Sequence, residues 1–343
     1  MEKLAVFGNS GFVGSWITEY FLTSKKKYKI YGYSLKSETI PSLHKLLKHK
    51  ERVFYQEYGN ILNVKKTKKF LLRSNPDKII YLISQSIVSV GVKDPYHTFL
   101  VNNIGLVNFL NIIKQSKLKS LSKIIIFTSD KVYLNLEKKT SFDEDDYLGG
   151  SDPYSASKAC QEIISRSFFE TYLKNRFTLV TLRAGNIIGG GDWSKDRIIP
   201  DIIKSNINKK TLKIRNINSI RPWQHILDVC NSIDLVLKKR RTNKKILSFN
   251  LGSNDKKKYS LKKILDFYKK NYNSLKIKQE KKLIKEKKYL SLNSNKFKKE
   301  YGYKNLLNFE IILKLTFNWY AHFYNKKNII DLTRKQINIY KNE

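Results

Sequence analysis

Tyr154 and Lys158 stand four residues apart in Tyr154-Ser155-Ala156-Ser157-Lys158, directly after Pro153. In a helix that spacing puts both side chains on one face. A phenol with a pKa of about 10 is no base at neutral pH. An ammonium a few ångströms away favours the phenolate, so the pair reads as a device for taking a proton from a hydroxyl. A second string, Thr128-Ser129-Asp130-Lys131, closes an apolar run and gathers hydroxyl, carboxyl and amine groups in four positions. A third, Gly8-Asn9-Ser10-Gly11-Phe12-Val13-Gly14, follows apolar Leu4-Phe7 and opens into apolar Phe12-Leu22. Glycines there let the backbone turn tightly and let a pyrophosphate approach the free amides of a helix N-terminus. A strand before and a helix after make this turn a dinucleotide-binding motif.

The cofactor motif is incomplete at one place. An acidic residue roughly 20 positions further on would hold the adenosine ribose, but the second strand ends in Gly32-Tyr33-Ser34-Leu35-Lys36. Its absence leaves NAD and NADP open on chemistry alone. After the third strand, Asn60 in Gly59-Asn60-Ile61 suits the adenine edge or an ordinary turn. The candidate cofactor contacts are Gly8, Ser10, Gly11, Phe12, Gly14, Tyr33, Asn60 and Ile61, with Tyr154 and Lys158.

These motifs need elements to hold them. Strand-like runs at Leu4-Phe7, Lys29-Tyr33, Val53-Glu57, Lys78-Leu82, Ile124-Thr128 and Thr178-Arg183 alternate with helical stretches at Phe12-Leu22, Phe99-Gln115 and Tyr154-Leu173. That alternation predicts an α/β fold, a Rossmann-type doubly wound parallel sheet. Past residue 185 the regularity breaks, and helices are expected near Leu261-Lys270 and Phe309-Phe323. The expected organisation is a dinucleotide-binding domain over 1–185, a smaller, partly interleaved C-terminal substrate-binding lobe over 186–327, and a polar peripheral tail over 328–343.

Composition narrows the class. The 343 residues carry 67 Lys+Arg against 29 Asp+Glu, a net charge of +38, but 41% are apolar, which excludes a disordered basic tail. The basic residues are 56 Lys and 11 Arg, scattered in short runs such as 25–27, 65–69, 256–258 and 281–288. Scattered lysines read as a solvated surface, and no nucleic-acid partner is expected. The two cysteines, Cys160 and Cys230, lie far apart without a His cluster, so neither a disulfide framework nor a metal site is predicted. No apolar run reaches a membrane span and no signal-peptide pattern opens the chain, which predicts a cytoplasmic protein with no membrane partner. The acidic stretch Asp143-Asp146 reads as a solvated loop, and His225 as structural.

Longer strings give a resemblance. The glycine turn, YSASK and the order of strands resemble the extended short-chain dehydrogenase/reductase superfamily. GFVGSW at 11–16, TSDKVYLN at 128–135, LGGSDPYSASKA at 148–159, RAGNIIGGGDWSKDRIIPD at 183–201 and RPWQH at 221–225 are similar to the CDP-glucose 4,6-dehydratases, over nearly all of the chain to about residue 327. The resemblance implies bound NAD, a CDP-hexose substrate, and a cycle of oxidation at C4, loss of water across C5–C6 and hydride return to C6. Tyr154 would take the 4-hydroxyl proton and Lys158 would hold the phenolate. Thr128 would bond the 4-oxygen, Asp130 would be the acid, and Lys131 the base if burial lowers its pKa. The implied substrate contacts are Gln85, Asn102, Asn186, Arg197 and Arg221. The implied assembly is a homodimer or tetramer built through the helices after strands four and five. Two segments depart from the family pattern: Tyr81-Leu82-Ile83-Ser84-Gln85-Ser86-Ile87-Val88-Ser89-Val90-Gly91, which lacks a basic residue usual there, and Asn60, where Asp is usual.

Overall fold

The runs Leu4–Phe7, 79–81 and 124–126 are buried on both faces, as only a parallel sheet covered on both sides allows. Residue parity sorts them. Leu4, Val6, Ile80 and Ile125 pack into one core, while Ala5, Phe7, Ile79, Tyr81, Ile124 and Ile126 pack into another on the opposite face. The computed structural model describes residues 1–37, 39–239, 244–252, 258–272, 275–280, 287–304 and 306–342. Lys256, Lys257, the 281–286 part of the basic run 281–288 and Glu343 lie outside the described residues.

The strands are β1 (Glu2–Phe7), β2 (Tyr28–Ser34), β3 (Tyr55–Tyr58), β4 (Lys78–Tyr81), β5 (Lys123–Phe127), β6 (Thr178–Ala184), β7 (Ile187–Ile188), β8 (Leu212–Ile214), β9 (Gln224–His225), β10 (Ile246–Leu251) and β11 (Ile277–Gln279). Seven form one parallel sheet in the order β10-β6-β5-β4-β1-β2-β3; β11 pairs with β8, and β7 with β9. The order reverses between β1 and β4. The crevice beyond the carboxyl ends of those strands is where such sheets bind ligands, and Gly8, Leu82 and Thr128 all sit at that end.

β10 comes from the later region and completes the main sheet beside β6, from Ile246↔Leu179 to Leu251↔Ala184, so the two regions interleave. One feature differs from expectation. The tail is not peripheral: Ile329–Asn342 is a helix that buries Ile329, Thr333, Gln336, Ile337 and Tyr340. Tyr340 Oη donates to Asp228 Oδ1 at 2.8 Å, Lys341 Nζ to the Tyr20 carbonyl at 2.9 Å, and Arg334 Nε to Glu19 Oε1 at 3.0 Å. Its polar composition hides an apolar stripe at helical spacing, which the neighbouring helix Phe309–Tyr324 covers, with Trp319 Nε1 donating to Thr333 at 3.0 Å.

Candidate active site

The glycine turn is shaped by close approach. Gly8 has φ +90°, and its amide donates to the Tyr33 carbonyl at 2.7 Å. A Cβ on Gly14 would lie 2.1 Å from the Gly8 carbonyl oxygen, so the first helical turn is pressed onto the end of β1. Gly11 caps the helix Phe12–Leu22 without a side chain, leaving its first-turn amides for a ligand. Ser10 Oγ donates to the Leu35 carbonyl at 2.8 Å and ties the turn to the end of β2. This cradle fits a pyrophosphate.

Three predicted cofactor contacts are placed differently. Tyr33 is fully buried among Phe7 and Phe70, its hydroxyl donating to the Asn60 carbonyl at 3.0 Å, because strand parity turns it into the core. Its neighbour Ser34, on the other face, has a buried hydroxyl without a partner. The Ile61 side chain is likewise core, close enough that a Cβ on Gly105 would meet it at 2.8 Å. The Phe12 side chain packs on the larger core, so its backbone is what faces the cradle. Asn60 is exposed, its Oδ1 accepting the Leu62 amide at 3.0 Å.

The catalytic helix Pro153–Phe168 begins with Pro at its first turn and Asp152 as N-cap, Oδ1 accepting the Ser155 amide at 3.0 Å. Tyr154 and Lys158 follow on one face, 8% and 3% exposed. Lys158 Nζ donates to Gln161 Oε1 at 3.0 Å and to the Phe127 carbonyl at 3.4 Å. Gln161 Nε2 in turn donates to the Asn102 carbonyl at 2.8 Å. Burial pulls Lys158 down to about 7 against the opposing charge of Glu162. Burial also pushes Tyr154 up to about 12; a Ser129 hydrogen bond and the Arg197 charge oppose this, while Asp130 adds to it. In the protein alone burial moves the two groups in opposite directions, Tyr154 up and Lys158 down.

The string after β5 also sorts differently from expectation. The Thr128 amide continues the ladder to Leu182, which turns its hydroxyl inward to donate to Glu162 Oε1 at 2.5 Å. Thr128 is thus a support for Glu162. The hydroxyl beside Tyr154 belongs to Ser129, whose Oγ donates to Asp130 Oδ1 at 2.9 Å and accepts the Lys131 amide at 3.2 Å. Asp130 is 4% exposed; burial raises its pKa, opposed by Lys131, Ser129 and Arg221, and its Oδ2 is buried without a partner. Lys131 is only half-buried, short of the enclosure expected for it.

Glu162, missed by the sequence reading, also accepts from Thr181 at 2.8 Å, Arg183 at 3.0 Å and Ser248 at 3.3 Å, giving a fully satisfied anion one turn below Lys158. Its signal is a carboxylate at i+4 from Lys158. Asn102 and Gln85, named among the substrate contacts, have side chains engaged within the protein. The Asn102 amide, fully buried in a π turn over Leu100–Ile104, spans the Gln85 amide and carbonyl, Ser84 and Ser157. The Gln85 side chain is used by the Ile87 amide at 2.5 Å and Thr98 at 2.9 Å. The departing strand-four loop also meets the 192–197 loop: Arg197 Nη2 donates to Ser86 Oγ at 3.0 Å, and Ser89 Oγ bonds Asp196. Arg197 thereby stands within electrostatic reach of Tyr154. Arg221 is 8% exposed, donates to the Ile220 and Lys287 carbonyls at 2.8 Å, and its charge reaches Asp130. Asn186 is half-buried, its carbonyl accepting the Gln224 amide at 3.0 Å. His225 is fully buried and pushed down to about 3, a neutral ring capping Leu227. In the acidic loop, Glu144 departs from the solvated reading: it is buried, and Oε1 accepts the Asn250 amide at 2.8 Å.

Comparison with known proteins places this geometry. Residues 5–316 match the model of the GDP-mannose 4,6 dehydratase family. The chain is 33% identical over 273 residues to a CDP-glucose 4,6-dehydratase of Salmonella typhimurium, covering 77% of this chain and 75% of that one. It is 28% identical to a dTDP-D-glucose 4,6-dehydratase of Dictyostelium discoideum, over 70% of this chain and 56% of the relative. Among solved structures it superposes on a dTDP-glucose 4,6-dehydratase from Bacillus anthracis in complex with NAD, with TM-score 0.79 and 22% identity, covering 96% of this chain and all of that one. A UDP-glucuronic acid 4-epimerase from Bacillus cereus gives TM-score 0.81 at 20% identity, over 94% of this chain and all of the other.

Proposed function

The chain belongs to the GDP-mannose 4,6-dehydratase family, and from that premise we propose that it is a cytoplasmic, NAD-dependent CDP-glucose 4,6-dehydratase whose product feeds deoxysugars of a surface polysaccharide such as the O-antigen of lipopolysaccharide. The observation that carries the reading is Asp130, a buried carboxyl with one unpartnered oxygen beside Tyr154. Oxidation at C4 alone, as in epimerisation, needs no acid for a departing hydroxyl.

The Gly8–Gly14 turn and the first amides of the following helix would hold the pyrophosphate of NAD, which would supply the hydride transfer between C4 and C6. Tyr154 takes the 4-hydroxyl proton, with Lys158 stabilising the phenolate and Ser129 in reach of the phenol. The ketone at C4 acidifies the C5 proton, which Lys131 removes while Asp130 protonates the leaving 6-hydroxyl. Arg197 and Arg221 supply the positive charge for the diphosphate, with Asn186 at its border. Among the described residues no group of three or more His, Cys, Asp or Glu could hold a metal, and no helix is long and apolar enough to cross a membrane.

Incubating the protein and NAD with CDP-, dTDP-, GDP- and UDP-glucose and weighing the products tests the reading. Loss of one water from the CDP sugar alone is expected, and no loss from any of the four overturns it.

The assembly proposed is a homodimer. An apolar groove of about 440 Å³ runs between the helices 95–115 and Pro153–Phe168, lined by Tyr96, Phe99, Ile104, Cys160 and Ile163. Tyr96 is 76% and Ile163 57% exposed, an apolar pair that a second copy would cover. Sedimentation velocity should give a dimer or a tetramer whose dimer contact Ile163→Asp breaks; a monomeric wild type would remove the proposal.

A further inference from the structure

In the sheet β5 lies between β4 and β6 and pairs with both, and Ser129-Asp130-Lys131 follows it. The segment after β4 and the segment after β7 meet each other at this end. Ser86 Oγ accepts from Arg197 Nη2 at 3.0 Å, and Ser89 Oγ bonds Asp196 Oδ2. Neighbouring strands stand roughly 4.8 Å apart, so loops that leave β4 and the β6 side join only by reaching across the end of β5. Each loop has a fixed base. On one side the Gln85 side chain bonds the Ile87 amide and Thr98, and the helix Val88–Lys93 presses on the catalytic helix, where a Cβ on Gly91 would lie 3.3 Å from the Tyr154 Cβ. On the other, Tyr320 Oη accepts the Asp192 amide at 3.0 Å and donates to its carbonyl at 2.5 Å, and Lys204 Nζ donates to the Trp193 carbonyl at 2.7 Å. The two serine bonds join the tips, where Ser86 and Asp196 are exposed. Exposed hydrogen bonds compete with water and add little each, so the joint can open while the bases stay put.

Resting on the function proposed above, we infer that Ser86 and Ser89 form a clasp with Arg197 and Asp196 that keeps the oxidised sugar over Asp130 until the hydride has returned. Dehydration passes through two sugars that must not leave. The first is the 4-ketone, formed when C4 gives up a hydride and its hydroxyl a proton. The second is the unsaturated ketone that remains when water departs across C5–C6. The electron pair taken from C4 comes back only by adding to C6 of that second sugar. If either sugar escapes, the pair stays on the nicotinamide, and the next sugar finds no oxidant. A reaction that borrows its cofactor therefore needs its entrance closed through the middle of the cycle. Arg197 ties this closure to occupancy. Its Nη2 rests on Ser86 and its Nε stands 3.8 Å from Asp192 Oδ2, so a diphosphate drawn to its charge sits at the joint itself. Ser86 and Ser89 act through these partners and are positioning residues.

The experiment compares wild type with Ser86→Ala/Ser89→Ala in the complete enzyme with NAD and the sugar nucleotide that the wild type dehydrates. The sugars set free are weighed, and reduced-nicotinamide absorbance is read alongside. The variant is expected to release sugar lighter than the substrate by two hydrogens, with or without the further loss of water, and to gain reduced nicotinamide in equal amount. It should stall after about tenfold fewer turnovers than wild type and restart when NAD is added. Wild type should release the dehydrated product alone. Ser89→Asp, which sets a carboxylate against Asp196, should leak in the same way. Adding Asp196→Asn to it should seal the leak, because Asn donates to the new carboxylate and accepts the left-handed backbone, φ +58°, at this position. Variants that release no oxidised sugar overturn the clasp, as does a leak from Ser89→Asp that Asp196→Asn leaves unchanged. A wild type that dehydrates none of the sugars instead overturns the parent reading and the clasp with it.

Discussion

The two flanks of the catalytic helix are built from different materials. On the Tyr154 side stand Ser129 and Asp130, a hydroxyl and a carboxyl that gain and lose protons readily. On the Lys158 side stand the Gln161 amide, the Asn102 carbonyl and a Glu162 carboxylate already filled by Thr128, Thr181, Arg183 and Ser248. The first flank is made of groups that exchange protons, whereas the second is made of groups already committed to partners.

The sharpest way to break this contrast is within the mobile flank. Asp130→Asn keeps the shape but removes the acid. It should therefore halt water loss by about 10²–10⁴-fold while oxidation at C4 proceeds, visible as accumulating reduced-nicotinamide absorbance. Tyr154→Phe should abolish both the absorbance and water loss. Equal loss of oxidation in the two variants would erase the division of roles.

The fixed flank should answer in stability. Lys158 sits well below the usual lysine value, at about 7, because of burial, so folding must either enclose a charge or give up a proton. That cost is full below about pH 7 and shrinks as pH rises toward the ordinary lysine range, above which it vanishes. Lys158→Met should abolish activity and yet raise the thermal midpoint at acidic and neutral pH, with the gain fading in alkali. Thermal scans at three pH values test it, and a gain that grows with pH would contradict the sign.

Much of this was legible in the sequence, for physical reasons that differ by residue. Strands buried on both faces announce themselves as apolar runs, and i, i+4 spacing fixes the Tyr154 and Lys158 face whatever surrounds it. Parity at a strand end is harder to read. One residue of ladder beyond β5 decides that Thr128 points at Glu162 and Ser129 at the site, and the same parity puts Tyr33 in the core. Asn102 and Gln85 look like ligand-binding amides in a string, because only the fold shows that both are already spent on each other's loop. The tail and Glu144 were hidden by composition, since one buried stripe or one inward carboxylate leaves the average of a polar stretch unchanged.

The position of β10 bears on how such an enzyme can be divided. Its six residues, from the later part of the chain, pair along the whole of β6, so a fragment ending near residue 185 would leave that strand's edge bare and open to pairing with other chains. The stretches before and after residue 185 are therefore not interchangeable cassettes. Exchange between relatives by recombination must carry β6 and β10 together, which ties the inheritance of the later part of the chain to that of the main sheet.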